Sequence, residues 1–192
     1  MKTVYLDNNA TTQVAPEVFE EMAPYFSELY GNPSSAHSFG GQVAAAVKTS
    51  RKHIAELLGA APEEIIFTSC GTESDNAAIM SALITQKEKR HIVTSRVEHP
   101  AVRTLCQHLH KQGYEITEVP VDGDGQLDMD AYEKCLRRDT AVVSLMWANN
   151  ETGVIFPVEE AAEMARRQDI LFHTDGVQAV GKVPINLNET AI

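Results

Sequence analysis

HIVTSRVEHPAVRTLCQHLHKQGYEITEVPV, residues 91 to 121, reads as a strand, a helix and a second strand. HIVTSRV and YEITEVPV are apolar and β-branched, and HPAVRTLCQHLHKQG between them has the length of a crossover helix. The same alternation surrounds this unit. EEIIFTS precedes ESDNAAIMSALITQK; after YEITEVPV come LDMDAYEKCLRR, then TAVVSLMWAN, PVEEAAEMARRQ and finally ILFHTD. Repeated strand–helix units of this kind predict an α/β domain: a largely parallel sheet with helices on both faces and right-handed crossovers.

Upstream, GGQVAAAVKTSRKHIAELLGA (40–60) predicts a further helix, with apolar Val43, Val47, Ile54, Leu57 and Leu58 on it and a stop at Gly59. Before it lies a short extended start. No internal repeat, low-complexity segment or long linker divides the chain. The closing KVPINLNETAI begins another approach to the sheet without a helix to follow, so the domain is expected to continue past Ile192.

The 192 residues are 43% hydrophobic, enough for one good core. Sixteen basic residues against 27 acidic ones give a net charge of −11 with no basic block, which disfavours nucleic acid and anionic membrane as partners. A small-molecule ligand fits better. MKTVYLDNNATT lacks a signal-peptide core and no apolar run has bilayer length, so a cytoplasmic location is expected. Cys70, Cys106 and Cys135, widely spaced and without a CxxC pair, are expected to be reduced thiols acting as small buried hydrophobes.

In an open parallel sheet, ligands lie beyond the carboxyl ends of the strands. The polar residues at those ends are Gly71 and Thr72; Glu98 and His99; Asn149, Asn150 and Glu151; and Asp175 with Gln178. Thr72-Glu73-Ser74-Asp75 has the form of a capping box, and a helix start with a glycine attracts an anion. By itself it reads as an ordinary helix cap. It is not a nucleotide-binding P-loop, because GTESDN lacks the GK[ST] end. Asp175, closing a buried strand, suits a protonated pyridine nitrogen; His99 offers a stacking face and a titratable nitrogen; Asn150 and Gln178 offer neutral hydrogen bonds to a ring hydroxyl. Each has a structural reading alone. Together they describe a pocket for pyridoxal 5'-phosphate, with the phosphate at Gly71 and Thr72.

Two decoys have plainer explanations. DGDGQLDMDAYE (122–133) spaces oxygen-bearing residues like a calcium-binding EF-hand but has Leu127 where the invariant glycine belongs, so turns followed by a helix capped at Asp128 or Asp130 are expected. Cys106 and His110 share a helical face that His108 does not, which argues for a solvated helix surface rather than a metal site.

LDNNATT (6–12), GNPSSAHSFG (31–40), FTSCGTESDN (67–76), VEHPAV (97–102), MWANNETG (146–153) and HTDGVQAVGKVPI (173–185) resemble, in order and spacing, the cysteine desulfurases of the NifS/IscS class, with SCGTESD and MWANNETG leaning toward the NifS branch. The resemblance runs from about Val4 to the last residue. It implies the large domain of a fold-type I pyridoxal phosphate enzyme, usually a homodimer, which removes sulfur from L-cysteine to leave L-alanine and an enzyme persulfide for an iron–sulfur scaffold protein, in nitrogen fixation for the NifS branch. Carried onto matching positions, Gly71 and Thr72 hold the phosphate, His99 stacks on the ring and assists proton transfer, Asn150 and Gln178 bond the ring's phenolic oxygen, and Asp175 pairs with the pyridine nitrogen. Residues 1–15 are expected to belong with the family's small domain, and 16–192 with an incomplete large domain.

In this family the Schiff-base lysine follows the last motif in a Ser-x-His-Lys context, which the sequence does not reach. Lys182 is not that lysine. The substrate-carboxylate arginine and the persulfide cysteine are expected further on, and none of Cys70, Cys106 and Cys135 holds the latter's position. The 192 residues alone are therefore expected to be inactive. The rival expectations are a non-catalytic domain that binds cofactor or dimerises, and another fold-type I enzyme such as selenocysteine lyase.

Overall fold

The computed structural model describes residues 3–192. These divide into two compact units, one ending at Ile66 and the other running from Phe67 to Ile192.

The first unit is helical. Residues 3–15 form no helix or strand, and α1 (Pro16–Met22) and α2 (Pro24–Ser27) each begin on a proline, whose fixed φ suits a first helical turn. Helix α3 (Ser38–Leu58) starts two residues before the expected Gly40, because His37 serves as its N-cap: the Gly40 N–H donates to His37 Nδ1 at 3.1 Å. It ends as the sequence predicts. Gly59 takes φ +66° and donates its N–H to the Ala55 carbonyl, the left-handed C-cap for which glycine is suited. Gly40 is buried under the GNPSS turn, where an added Cβ would stand 2.4 Å from the Asn32 carbonyl oxygen.

The second unit holds one sheet of four parallel strands: β1 (His91–Ser95), β2 (Glu115–Val119), β3 (Thr140–Met146) and β4 (Leu171–Asp175), in the order β2-β1-β3-β4. Alternation along the central strands sorts their side chains between two cores. Ile92 and Val142 face α4 (Gly71–Thr85) and α5 (Pro100–Lys111), with Ile79, Leu83, Val102 and Leu109. Val93, Val143 and Leu145 face α6 (Met129–Cys135) and α7 (Val158–Arg166), with Tyr132, Phe156 and Ala161. Each fully buried aliphatic side chain contributes roughly 1.5–3 kcal/mol of transfer free energy. Tyr132 also donates its hydroxyl to the Ala161 carbonyl at 2.7 Å, tying α6 to α7.

Helix α5 leads from β1 to β2 on one face, whereas α6 and α7 carry the chain the opposite way along the sheet on the other. Direction and face reverse together, as a single crossover hand requires. The reversal leaves a switch point between β1 and β3, where the crevice at the strand ends opens.

One expected strand is missing. EEIIFTS forms a 3-10 turn (Pro62–Glu64) and then irregular chain, with Ile66 82% exposed. A strand requires a neighbour to complete its hydrogen bonds, and no strand of the described residues pairs with this segment. The cysteines also differ from expectation: Cys106 is buried and Cys135 half-buried, but Cys70 is exposed at the start of α4.

Candidate functional site at the strand ends

The polar residues picked out by the sequence lie where β1, β3 and β4 end and where α4 begins. Helix α4 starts earlier than a capping box at Thr72 would place it. Cys70 is its N-cap, Gly71 its first residue, and Glu73 reaches back to accept the Ser69 N–H at 2.7 Å together with the Ser69 hydroxyl. The Cys70 sulfur lies against the Glu73 and Thr72 N–H groups and the Ser69 hydroxyl, which hold its thiol below the usual range. The Gly71 N–H meets no acceptor among the described residues. An added Cβ at Gly71 would come within 3.3 Å of the Val177 side chain, so glycine lets the chain after β4 pack closely against the start of α4.

After β1 the chain turns through Glu98 and His99. His99 caps α5: its Nδ1 accepts the Ala101 N–H at 3.2 Å, so the exposed ring carries its proton at Nε2. His99 and Thr72 line one cavity of about 500 Å³, with Asn76, Ala101, Leu105 and His108. Asn76 closes its floor by donating to the Thr72 and Ala101 carbonyls. Glu98, by contrast, points inward and is 4% exposed. Its Oε1 accepts the Ser95 hydroxyl at 2.6 Å and the Met146 N–H at 3.0 Å, while its Oε2 is buried without a partner. Burial, reinforced by the negative charges of Asp175 and Asp75, pushes this carboxyl up to about 7.

After β3, MWANNETG is a turn organised by Asn149 rather than Asn150. Asn149 Oδ1 accepts the Glu151 and Thr152 N–H groups at 2.9 Å, and its Nδ2 donates to the Val97 carbonyl at 3.3 Å, joining this turn to the β1 end. Asn150 is half-buried and donates to Glu151 Oε1. After β4, Asp175 is buried and its Oδ1 accepts the Val177 N–H at 3.0 Å. Gln178 accepts from Lys182 Nζ.

The structure thus brings Thr72 and His99 to one cavity and sets Gly71 at its helix start. Asp175, Asn150 and Gln178 sit at the neighbouring strand ends and do not line that cavity. Two features have little signal in the sequence. Asn149 is recognisable only as an Asx residue two and three positions before the amides it binds. The row of Ser144, half-buried His173 and Asp75 depends on strand register, which no local pattern reports.

The decoys resolve locally. Asp122 Oδ1 accepts the Asp124 and Gln126 N–H groups, and Asp128 caps α6 through the Ala131 N–H. His110 pairs with the Tyr114 carbonyl and His108 with Gln112, while Cys106 faces the core instead of solvent.

Comparison with known proteins decides the family. The Aminotransferase class-V family profile matches residues 4–192. The chain belongs to that family. Within it, the chain is 55% identical over 192 residues to a cysteine desulfurase of Trichormus azollae, and 55% identical over 193 residues to the cysteine desulfurase NifS of Azotobacter vinelandii. Each alignment covers 100% of this chain and 48% of the relative, so the chain spans about half the length of the curated relatives it matches. Among solved structures, a NifS-like protein superposes with a TM-score of 0.93 at 42% identity, covering 97% of this chain and 52% of the other. A structure of SspA in complex with cysteine superposes with the same TM-score, 0.93, at 36% identity, with 97% and 54% covered. The fold is the large-domain fold of fold-type I pyridoxal phosphate enzymes.

Class-V aminotransferases depend on pyridoxal phosphate, and the residues present suit it. A phosphate requires hydrogen-bond donors and a positive helix end, which the Gly71 N–H, the Thr72 hydroxyl and α4 offer. A pyridinium requires a buried carboxylate, which Asp175 supplies.

Proposed function

We propose that the whole protein is a pyridoxal phosphate-dependent cysteine desulfurase that converts L-cysteine and a thiol into L-alanine and a persulfide. The observation that supports this most strongly is that anion donors at Gly71 and Thr72, an oriented histidine at His99 and a buried carboxylate at Asp175 occur at adjoining strand ends in a chain 55% identical to named cysteine desulfurases.

In this reading Gly71 and Thr72 would hold the phosphate, Asp175 would hold the charged pyridine N–H, and Asn150 and Gln178 would bond the ring oxygen. The bound cofactor supplies an electron sink for the pair released when the substrate's α-proton leaves. His99 would stack on the ring and move a proton at Nε2, since Nδ1 is engaged with the Ala101 N–H. Asn149 keeps the MWANNETG turn rigid beside it. Sulfur passes to a thiol other than Cys70, Cys106 and Cys135. The thiolate bonds the substrate sulfur, so that an S–S bond forms as the C–S bond breaks; the β-carbon takes one proton and the α-carbon regains the one it lost, giving alanine.

A homodimer, a cytoplasmic location, residues 1–15 associated with a small domain, and an iron–sulfur scaffold as sulfur acceptor, in nitrogen fixation, complete the proposal. The test is product analysis of the whole protein with L-cysteine, pyridoxal phosphate and dithiothreitol. Alanine and sulfide in equal amounts, abolished by Asp175→Ala, support it. Pyruvate and ammonia in place of alanine would contradict it.

A further inference from the structure

We infer that Glu98 is a positioning residue of the cofactor slot, a staple across the switch point that fixes the separation between His99 and Asp175. This rests on the assignment of His99 and Asp175 proposed above and adds to it the group that holds them in place.

The crevice between β1 and β3 opens where their ladder ends; the last residues in register are Thr94 and Ser144. Just beyond, the Glu98 carboxyl takes over. One oxygen accepts from Ser95 at the end of β1 and from the Met146 N–H at the end of β3, bridging strands that no longer bond each other. Both walls of the slot hang from that oxygen. On one side the next residue is His99, its ring fixed by the Ala101 N–H. On the other, Met146 stands opposite Asp175 in the β3–β4 register, and the Trp147 N–H donates to the Asp175 carbonyl at 2.9 Å. A shift of Glu98 would therefore move His99 relative to Asp175.

The charged side chains that act on Glu98 are Asp175 and Asp75, both acidic, and Oε2 has no partner, so the carboxyl is buried at a cost that its bonds from Ser95 and Met146 offset only in part. Retained cost at the crevice of an α/β sheet points to function. Its raised pKa fits: a proton on Oε2 keeps a second charge away from Asp175 while Oε1 goes on accepting both bonds.

The experiment compares Glu98→Gln, Glu98→Ala and Ser95→Ala in the whole protein. It measures pyridoxal phosphate affinity by absorbance titration, the induced circular dichroism of the bound cofactor, and the melting temperature. Glu98→Gln keeps a neutral side chain with an acceptor in the Oε1 position, and is expected to retain the dichroic band and bind within about threefold of wild type. Glu98→Ala is expected to bind about 10- to 100-fold more weakly with a diminished or inverted band, the scale of losing hydrogen bonds to a buried carboxyl. Ser95→Ala, which removes the bond to Glu98 and the longer one from the Val97 N–H but leaves the Glu98–Met146 bond, checks the same point if Glu98→Ala does not fold; its band should change in the same direction. Wild-type affinity and dichroism in the Ser95→Ala and Glu98→Ala variants overturn the inference, as does a Glu98→Gln variant as impaired as Glu98→Ala. If Thr72→Ala and Asp175→Ala also leave affinity unchanged, the cofactor-site reading fails as well. If those two weaken binding while Glu98→Ala does not, only the staple is wrong.

Discussion

Ser144 Oγ and His173 Nδ1 lie 2.9 Å apart across β3 and β4, on strands whose register sets the two residues opposite each other. The other ring nitrogen of His173 is 3.5 Å from Asp75 Oδ1 on α4, so one imidazole joins both strands to the helix whose first turn is the proposed phosphate site. His173→Leu would strand a buried hydroxyl and a buried carboxylate. Its expected cost is about 1–3 kcal/mol, read as a lowered urea midpoint with unchanged slope.

Thr72→Ala removes a hydroxyl from the start of α4 without disturbing its cap, which is Cys70 with Glu73 reaching back to Ser69. Stability should stay within about 0.5 kcal/mol, whereas pyridoxal phosphate affinity should fall roughly 10-fold for the loss of one bond to a charged group. A titration showing equal affinity for both proteins would place the phosphate elsewhere.

Glu98 gives stability a pH dependence of known sign. Its ordinary value is 4.5 and burial raises it to about 7, with Asp175 on β4 and Asp75 on α4 adding to the rise and Ser95 and the Met146 N–H opposing it. A raised carboxyl binds more protons folded than unfolded between those values. Its contribution is therefore full below about pH 4.5 and lost as pH climbs through 7. Denaturation of wild type and Glu98→Gln in parallel should show wild type losing on the order of 3 kcal/mol relative to the variant between pH 4 and 8. A constant difference would show that Glu98 titrates normally.

Gly40→Ala places a methyl group 2.4 Å from the Asn32 carbonyl oxygen and 2.9 Å from Ser35 Cβ. Either the GNPSS turn or the first turn of α3 must shift, at a cost of about 1–3 kcal/mol measurable as a lower melting temperature. Gly41→Ala, beside it, has open space and is the control.

Much of the fold was legible because its signals are local. HIVTSRV, TAVVSLMWAN and the glycine at position 59 announce strands and a helix end through the period of their own residues. EEIIFTS misleads for the converse reason: its composition is that of a strand, but a strand depends on a neighbour, and none of the described strands bonds to it. The start of α4 was placed too late because a cysteine is an uncommon N-cap and Glu73 bonds Ser69 rather than closing a box at Thr72. At the site, the residue types at Thr72, His99 and Asp175 could be collected by asking which side chains follow each strand. The bond from Glu98 to Met146 spans 48 residues and exists only once β1 and β3 are paired.

A crystal structure of the whole protein grown with pyridoxal phosphate tests the central claim most directly. The account predicts the phosphate within hydrogen-bond distance of the Gly71 N–H and the Thr72 hydroxyl, the ring beneath His99, and the Asp175 carboxylate at the pyridine nitrogen. A cofactor bound away from the start of α4, or with its nitrogen turned from Asp175, would contradict it.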